Sequence, residues 1–188
     1  MKEKTLEEVL YELVQDLYDA EKQIVRALPK MAKAAASEQL REAFQEHLEE
    51  TKEQVNRIEQ VFEALGQKAK SKKCEGMRGL LEEGQEVMSS FPESAARDAA
   101  LIAAAQKVEH YEMAGYGSAR TFAKLLDRNE AADLLEETLN EEKAADEKLT
   151  GVAESTVNEH GGEEEAEEGD EEQSSSRSRT GARRRAAG

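Results

Sequence analysis

The sequence predicts an all-helical fold, in which four long helices form a bundle and a short fifth helix lies in the crossover between the second and third. Apolar residues recur at three- and four-residue steps over long stretches, which is the helical period. Charged residues make up 36% of the 188 residues, well above the ~25% that is usual for globular proteins. Only two prolines and no tryptophan occur, and β-branched runs are absent. These features exclude a sandwich or a barrel.

The first two long helices have recognisable beginnings and ends. Thr5 and Glu8 form the capping-box pattern that starts a helix, and an apolar stripe follows. Pro29 lies inside that stripe and is expected to kink the helix or end it early. The second helix spans about residues 37–65 and ends at Gly66, as helices do at a glycine.

The later helices follow the same logic and define the topology. A short helix is expected near residues 77–88, and Ser90 with Pro92 marks the start of the third long helix, which runs to about residue 126. After a tight turn, the fourth helix continues to about residue 154. Short joins make the flanking helices antiparallel neighbours, whereas the middle join is long. Two hairpins with one long crossover are the connectivity of ferritin-like bundles.

The composition divides the chain into a bundle at residues 1–160 and a tail at residues 161–188. The tail holds eight acids and then five arginines, with no aliphatic residue larger than alanine. Such a segment buries too little apolar surface to offset its ordering entropy, so disorder is expected. The tail carries 5 minus 8, or −3, which leaves −13 of the total −16 on the bundle. The tail either solvates the protein, or its basic end contacts nucleic acid or an acidic partner.

Cysteine content and charge predict a cytoplasmic protein. The single cysteine, Cys74, cannot form an internal disulfide, which fits a reducing compartment. The lysines beside it are expected to lower the pKa of its thiol. No apolar run approaches the ~18 residues of a membrane span, and no signal peptide is recognisable, so no membrane association is expected. The acidic bundle disfavours nucleic acid as a partner, because phosphates would repel it.

Several acidic residues fall within the apolar stripes. At about 100° per residue, Glu112 and Glu142 lie near the centres of their stripes, and Glu21 lies roughly 50° from the centre of its own. On the second helix, His47 lies about 50° from the centre and Glu50 about 100°. Burying several carboxylates together is unfavourable unless they bind a cation or stay protonated.

These residues predict a carboxylate-bridged dinuclear metal site inside the bundle. Oxygen ligands with an imidazole suit iron or manganese. The candidate ligands, which include two flanking acids, are Glu21, His47, Glu50, Glu109, Glu112, Glu141 and Glu142. The alternative is metal-free: the acids hydrogen-bond to Tyr18, Tyr116, Gln54 or Lys107, or line a wet interface.

The candidate set departs from the Glu-x-x-His signature of ferritin-type sites. Three residues after Glu50 comes Glu53, and three residues after Glu142 comes Ala145. His47 instead precedes Glu50 by three residues, so the histidine expected in the second half of the chain is missing.

Seven stretches of the chain resemble the YciF/YciE stress-protein family, a ferritin-like family otherwise described as a domain of unknown function. They are LYDAEKQ at 17–23, ALPK at 27–30, HLEET at 47–51, KKCEGM at 72–77, RDAALI at 97–102, KVEHYE at 107–112 and LNEEKAAD at 139–146. The resemblance covers about residues 5–157, and the tail lies outside it.

The resemblance implies a ferritin-like bundle, a homodimer and an association with stress responses. Related ferritins, rubrerythrins and manganese catalases oxidise iron or remove peroxide at a dinuclear centre, so the resemblance implies that a small oxidant, peroxide or oxygen, reacts at the metal site. The alternative is a metal-free helical interaction or structural protein of the stress response. Iron storage is a lesser alternative, because a dimer cannot enclose a mineral core.

Overall fold

The computed structural model describes residues 3–157, and the regular structure in this part of the chain is entirely helical. The helices are α1 Leu6–Ala34, α2 Glu38–Ala64, α3 Glu75–Ser90, α4 Ala95–Leu125 and α5 Asn129–Val152, followed by a π-helical turn at Ala153–Val157. The predicted all-helical fold, with its crossover helix, is therefore confirmed. None of these helices is long and apolar enough to cross a membrane. The tail predicted at 161–188, with its boundary at 160, lies outside the described residues.

Local sequence signals set most helix ends. The backbone N–H of Glu8 donates to Thr5 Oγ1 at 3.2 Å, and the N–H of Thr5 donates to Glu8 Oε2 at 2.8 Å, which completes the predicted capping box. Gly66 ends α2 with a φ of +68°, a left-handed conformation that glycine adopts without steric penalty. Helix α4 is capped by Ser94, later than predicted, because α3 continues through Ser90.

Pro29 does not end α1, which continues to Ala34. Its ring lies on the exposed face of the helix, where water can satisfy the carbonyl that loses its intrahelical donor. Leu28 and Met31, on either side of it, are 4% and 6% exposed. Burial of these side chains outweighs the local disadvantage of proline and keeps the chain helical.

The bundle consists of two hairpins, α1–α2 and α4–α5, packed so that α2 contacts α5 and α1 contacts α4, while α3 packs against α1 and α4. A carboxylate joins the hairpins at one end. Asp98 of α4 is 1% exposed and accepts hydrogen bonds from the backbone N–H groups of Ala36 (2.9 Å) and Ser37 (2.6 Å). These groups lie in the α1–α2 turn, so the start of one hairpin holds the turn of the other.

Cys74 is a buried structural residue, and its thiol does not behave as the sequence predicted. It caps α3, and its Sγ lies 3.1 Å from Asp16 Oδ2 and 2.9 Å from the Tyr111 hydroxyl. Burial raises the pKa of the thiol, and Asp16 adds to this effect. The expected lowering by the adjacent lysines is wrong, because their ammonium groups pair with Glu12 and Glu75 instead.

The apolar core is divided into two clusters. One contains Ile24, Leu28, Leu40, Phe44, Leu101, Val108 and Leu149, and the other contains Leu10, Leu17, Ile58, Phe62, Tyr116, Leu135 and Leu139. On each long helix, the residues between the two clusters include a buried polar side chain. A polar layer therefore crosses the middle of the bundle.

Candidate metal centre

The polar layer contains a cluster of one imidazole and four carboxyl groups from all four long helices. They are Glu21 of α1, His47 of α2, Glu109 and Glu112 of α4, and Glu142 of α5. The glutamates are at most 2% exposed, and His47 is 8% exposed. The five side chains lie together because each long helix brings its buried ligand residue, or both residues in the case of α4, to the same level of the bundle.

The cluster consists of two triads that share one residue. Oxygen atoms of Glu21, Glu112 and Glu142 lie within 4.8 Å of one another, and so do ligand atoms of His47, Glu109 and Glu142. We call these the inner triad and the outer triad. Glu142 belongs to both triads and so connects them.

Unpaired polar atoms test whether these residues fit a metal. Seven buried atoms of the cluster have no hydrogen-bond partner: Glu21 Oε2, His47 Nδ1 and Nε2, Glu109 Oε2, Glu112 Oε1, and Glu142 Oε1 and Oε2. With the glutamates ionised, each of these atoms costs about 1–3 kcal/mol if it stays unpaired, and native proteins keep only a few such atoms. Protonation would instead let Glu21 share a hydrogen bond with Glu112, and Glu109 with Glu142. The donor set therefore fits oxygen- and nitrogen-preferring cations.

The pKa values of the glutamates follow from their burial. Burial raises the pKa of Glu21 and of Glu109 to about 8, and the neighbouring carboxylates contribute. Burial also raises the pKa of Glu112 and Glu142 well above the ordinary value. Without a cation these groups hold protons at neutral pH, and a bound cation would displace them.

Burial opposes the charged form of His47, yet its pKa is raised, because Glu50, Glu142 and Glu21 favour the imidazolium. Its Nε2 lies 3.5 Å from Glu109 Oε1, and its Nδ1 lies 3.6 Å from Glu50 Oε2. Neither contact has hydrogen-bond geometry, so once the imidazolium releases a proton, one of its ring nitrogens can bind a cation.

One of the alternative partners considered from sequence does contact the cluster. The fully buried hydroxyl of Tyr116 donates to Glu21 Oε1, which leaves Oε2 as the unpaired oxygen. Tyr18 and Lys107 bond to acids on the exposed face instead. Tyr116 therefore orients Glu21, and its position one helical turn after Glu112 is the sequence signal for this role.

Two candidate ligands do not join either triad. Glu50 has a side chain that is 55% exposed. Glu141 accepts hydrogen bonds from Arg57, at 2.6 Å and 2.9 Å, and from Gln54 at 3.1 Å. The structure thus brings five of the seven candidates together, and metal ligation by any of them stays a prediction.

Comparisons with known proteins match most of the chain. The family model described as "Domain of unknown function (DUF892)" matches residues 5–161. Protein YciF of Escherichia coli (strain K12) is 54% identical over 159 residues, which cover 84% of this chain and 96% of that protein.

Solved structures agree with the bundle. The crystal structure of the E. coli stress protein YciF has a TM-score of 0.80 at 54% identity and covers 83% of this chain and 99% of its own. A Rhodopseudomonas palustris protein, YcfI, has a TM-score of 0.77 at 41% identity, covering 78% and 94%. A Xanthomonas campestris protein, with a TM-score of 0.69 at 23% identity and coverage of 86% and 99%, supports the fold alone.

Proposed function

Since this chain belongs to the DUF892 family and is similar to the stress protein YciF, we propose that it is a stress-response protein with a carboxylate-bridged dinuclear iron or manganese site that acts on peroxide or oxygen. The observation that carries the proposal is the set of seven buried, unpaired ligand atoms on five side chains from four helices. Packing alone gives no reason to collect so many unpaired polar atoms in one layer.

Each side chain has a distinct role in this proposal. Glu21 and Glu112 would hold the inner ion, His47 and Glu109 the outer ion, and Glu142 both. Two redox-active ions held there would supply the electrons needed to reduce a small oxidant. The Tyr116 hydroxyl keeps Glu21 in one orientation, and the apolar clusters above and below exclude water from the layer.

The protein's partners and location belong to the same proposal. A homodimer is expected from the family resemblance. A cytoplasmic location is expected because the single cysteine cannot form an internal disulfide. The reaction partner would be peroxide or oxygen, and neither nucleic acid nor a membrane is expected to bind the acidic bundle.

Metal analysis of separate triad variants tests the proposal. Protein purified without chelator, from cells supplied with iron and manganese, should contain about two ions per chain. Glu112→Gln should lose the inner ion, His47→Ala the outer ion, and Glu142→Gln both. Glu49→Gln, whose side chain is 71% exposed, is the control and should keep both. Fewer than roughly one ion per two chains in the unaltered protein would contradict the proposal.

A second candidate function is a metal-free structural or interaction role in the stress response. It is favoured by the R. palustris relative, which is described as a proposed structural protein. In that case chelators should leave the melting temperature unchanged, and Glu112→Leu should stabilise the fold, because apolar volume would replace a buried carboxyl group. Under the dinuclear proposal, chelators should lower the melting temperature of metal-loaded protein, and Glu112→Leu should abolish the inner ion.

A further inference from the structure

A small cavity adjoins the outer triad on the α2–α5 side of the bundle. Its volume is about 20 Å³, which is room for about one water-sized particle. His47 and Glu109 line it at its buried end, and Ala43, Phe44 and Leu149 provide apolar walls. His47 therefore borders a space that a small ligand could enter.

The inner triad is more deeply enclosed than the outer triad. Glu21 and Glu142 are 0% exposed, Glu112 is 1% exposed, and none of the three lines the cavity. A particle that enters through the cavity therefore meets His47 and Glu109 before it meets the inner triad.

Two oppositely charged side chains border the solvent end of the cavity. Glu50 is 55% exposed, and its Oε2 lies 3.6 Å from His47 Nδ1. Lys148 is 48% exposed and pairs with Glu46 on α2. Glu50 thus connects solvent with the imidazole, while the ammonium group of Lys148 repels cations at the same opening.

The size of the cavity imposes a chemical requirement on a cation. A hydrated divalent ion carries about six waters, each of which occupies ~30 Å³ in the liquid, so it cannot pass intact. Shedding those waters is unfavourable unless other ligands replace them in step. A carboxylate at the opening, followed by an imidazole and a second carboxylate, provides such replacements.

We infer that this cavity is the route by which divalent cations load the centre, with Glu50 as a transient entry ligand that passes each ion to His47 and Glu109. The inference rests on the proposed dinuclear site and adds an order of events: the ion reaches the outer triad first, and Glu142, which belongs to both triads, then shares it with the inner triad. Glu50 therefore governs the rate of loading and is no permanent ligand.

Loading kinetics of the metal-free full chain test the inference without any activity measurement. Chelator-stripped protein is mixed with Co²⁺ in a stopped-flow instrument, and the visible absorption of bound Co²⁺ is followed. Titration calorimetry gives the number of ions bound at equilibrium. Glu50→Gln should slow association about tenfold and leave the final number of ions unchanged. Glu49→Gln removes the same charge one residue away and should load at the normal rate.

A second pair of variants tests the opposite charge. Lys148→Gln removes the repulsive ammonium group and should speed association about threefold. Lys52→Gln is the matched control on the exposed face of α2, where Lys52 pairs with Glu49, and should have no effect on the rate.

The outcomes separate the route from the site. Equal rates for Glu50→Gln and Glu49→Gln, with normal ion numbers, would overturn the loading route and leave the dinuclear proposal standing. Loss of an ion in Glu50→Gln would also overturn it, because Glu50 would then be a permanent ligand. Absence of Co²⁺ binding in the unaltered protein would overturn both. Slower loading in Glu50→Gln alone, with faster loading in Lys148→Gln, would support the route.

Discussion

The buried carboxyl groups should make the metal-free protein lose stability as the pH rises. Glu21 has a folded-state pKa of about 8 and an ordinary value of 4.5, so the native state retains a proton that the unfolded chain releases. The stability from this group is fully present below pH 4.5 and is lost as the pH rises through 8. At pH 7, about 3 kcal/mol of this stability has been lost, at roughly 1.4 kcal/mol for each pH unit above 4.5.

Glu21→Gln isolates this effect, because the amide oxygen can still accept the hydrogen bond of Tyr116. The variant should resemble the unaltered protein in stability near pH 4.5 and exceed it by about 3 kcal/mol at pH 7. The assay is urea unfolding of chelator-stripped protein, followed by circular dichroism at several pH values between 4.5 and 8. Glu49→Gln, on the exposed face, should follow the unaltered protein throughout.

Parallel stability curves for Glu21→Gln and the unaltered protein would refute this reasoning, because they would mean that the buried carboxyl group does not titrate differently in the two states. Metal should reverse the order of stability. Added Mn²⁺ should stabilise the unaltered protein increasingly as the pH rises, since binding displaces protons. It should stabilise the variant less, because Glu21→Gln lacks one inner ligand and keeps only the outer ion.

Three further substitutions test separate parts of the structure. Ala145→His places the missing signature histidine in the cavity wall beside His47 and should tighten Co²⁺ binding about tenfold by calorimetry; unchanged affinity would mean that position 145 does not face the ions. Arg57→Ala removes the hydrogen bonds from α2 to Thr138, Glu137 and Glu141 of α5 and should lower the urea-derived stability by about 2 kcal/mol. A loss below about 0.5 kcal/mol would show that these contacts contribute little to stability. Asp98→Ala leaves two backbone N–H groups of the α1–α2 turn unpaired and should reduce stability by about 2–3 kcal/mol, and an unchanged melting temperature would argue against that role.

The extent of the helices and their connectivity could be predicted because the relevant signals are local. The capping box at Thr5 and the left-handed Gly66 depend on neighbouring residues alone. Pro29 shows where local reasoning stops, since the burial of Leu28 and Met31 keeps α1 helical beyond it. That burial depends on helices distant in the chain.

Helical phase also identified most of the candidate site. Glu112 and Glu142 lie near the centres of their stripes and Glu21 lies about 50° from the centre of its own, and the structure buries all three. Phase is a property of one helix, so it shows which side chains face inward. It does not show which inward-facing side chains of different helices lie at the same level.

The amino-acid sequence by itself determined the all-helical bundle and the inward position of the acids, because both follow from periodicity along single helices. Only the tertiary structure decided the composition of the triads, because that depends on how the helices are rotated and shifted against one another. Glu109 joins His47, although it lies far from the centre of its stripe, whereas Glu141 is bound by Arg57 of a neighbouring helix. Contacts between helices set these two outcomes, and no pattern within one helix contains them.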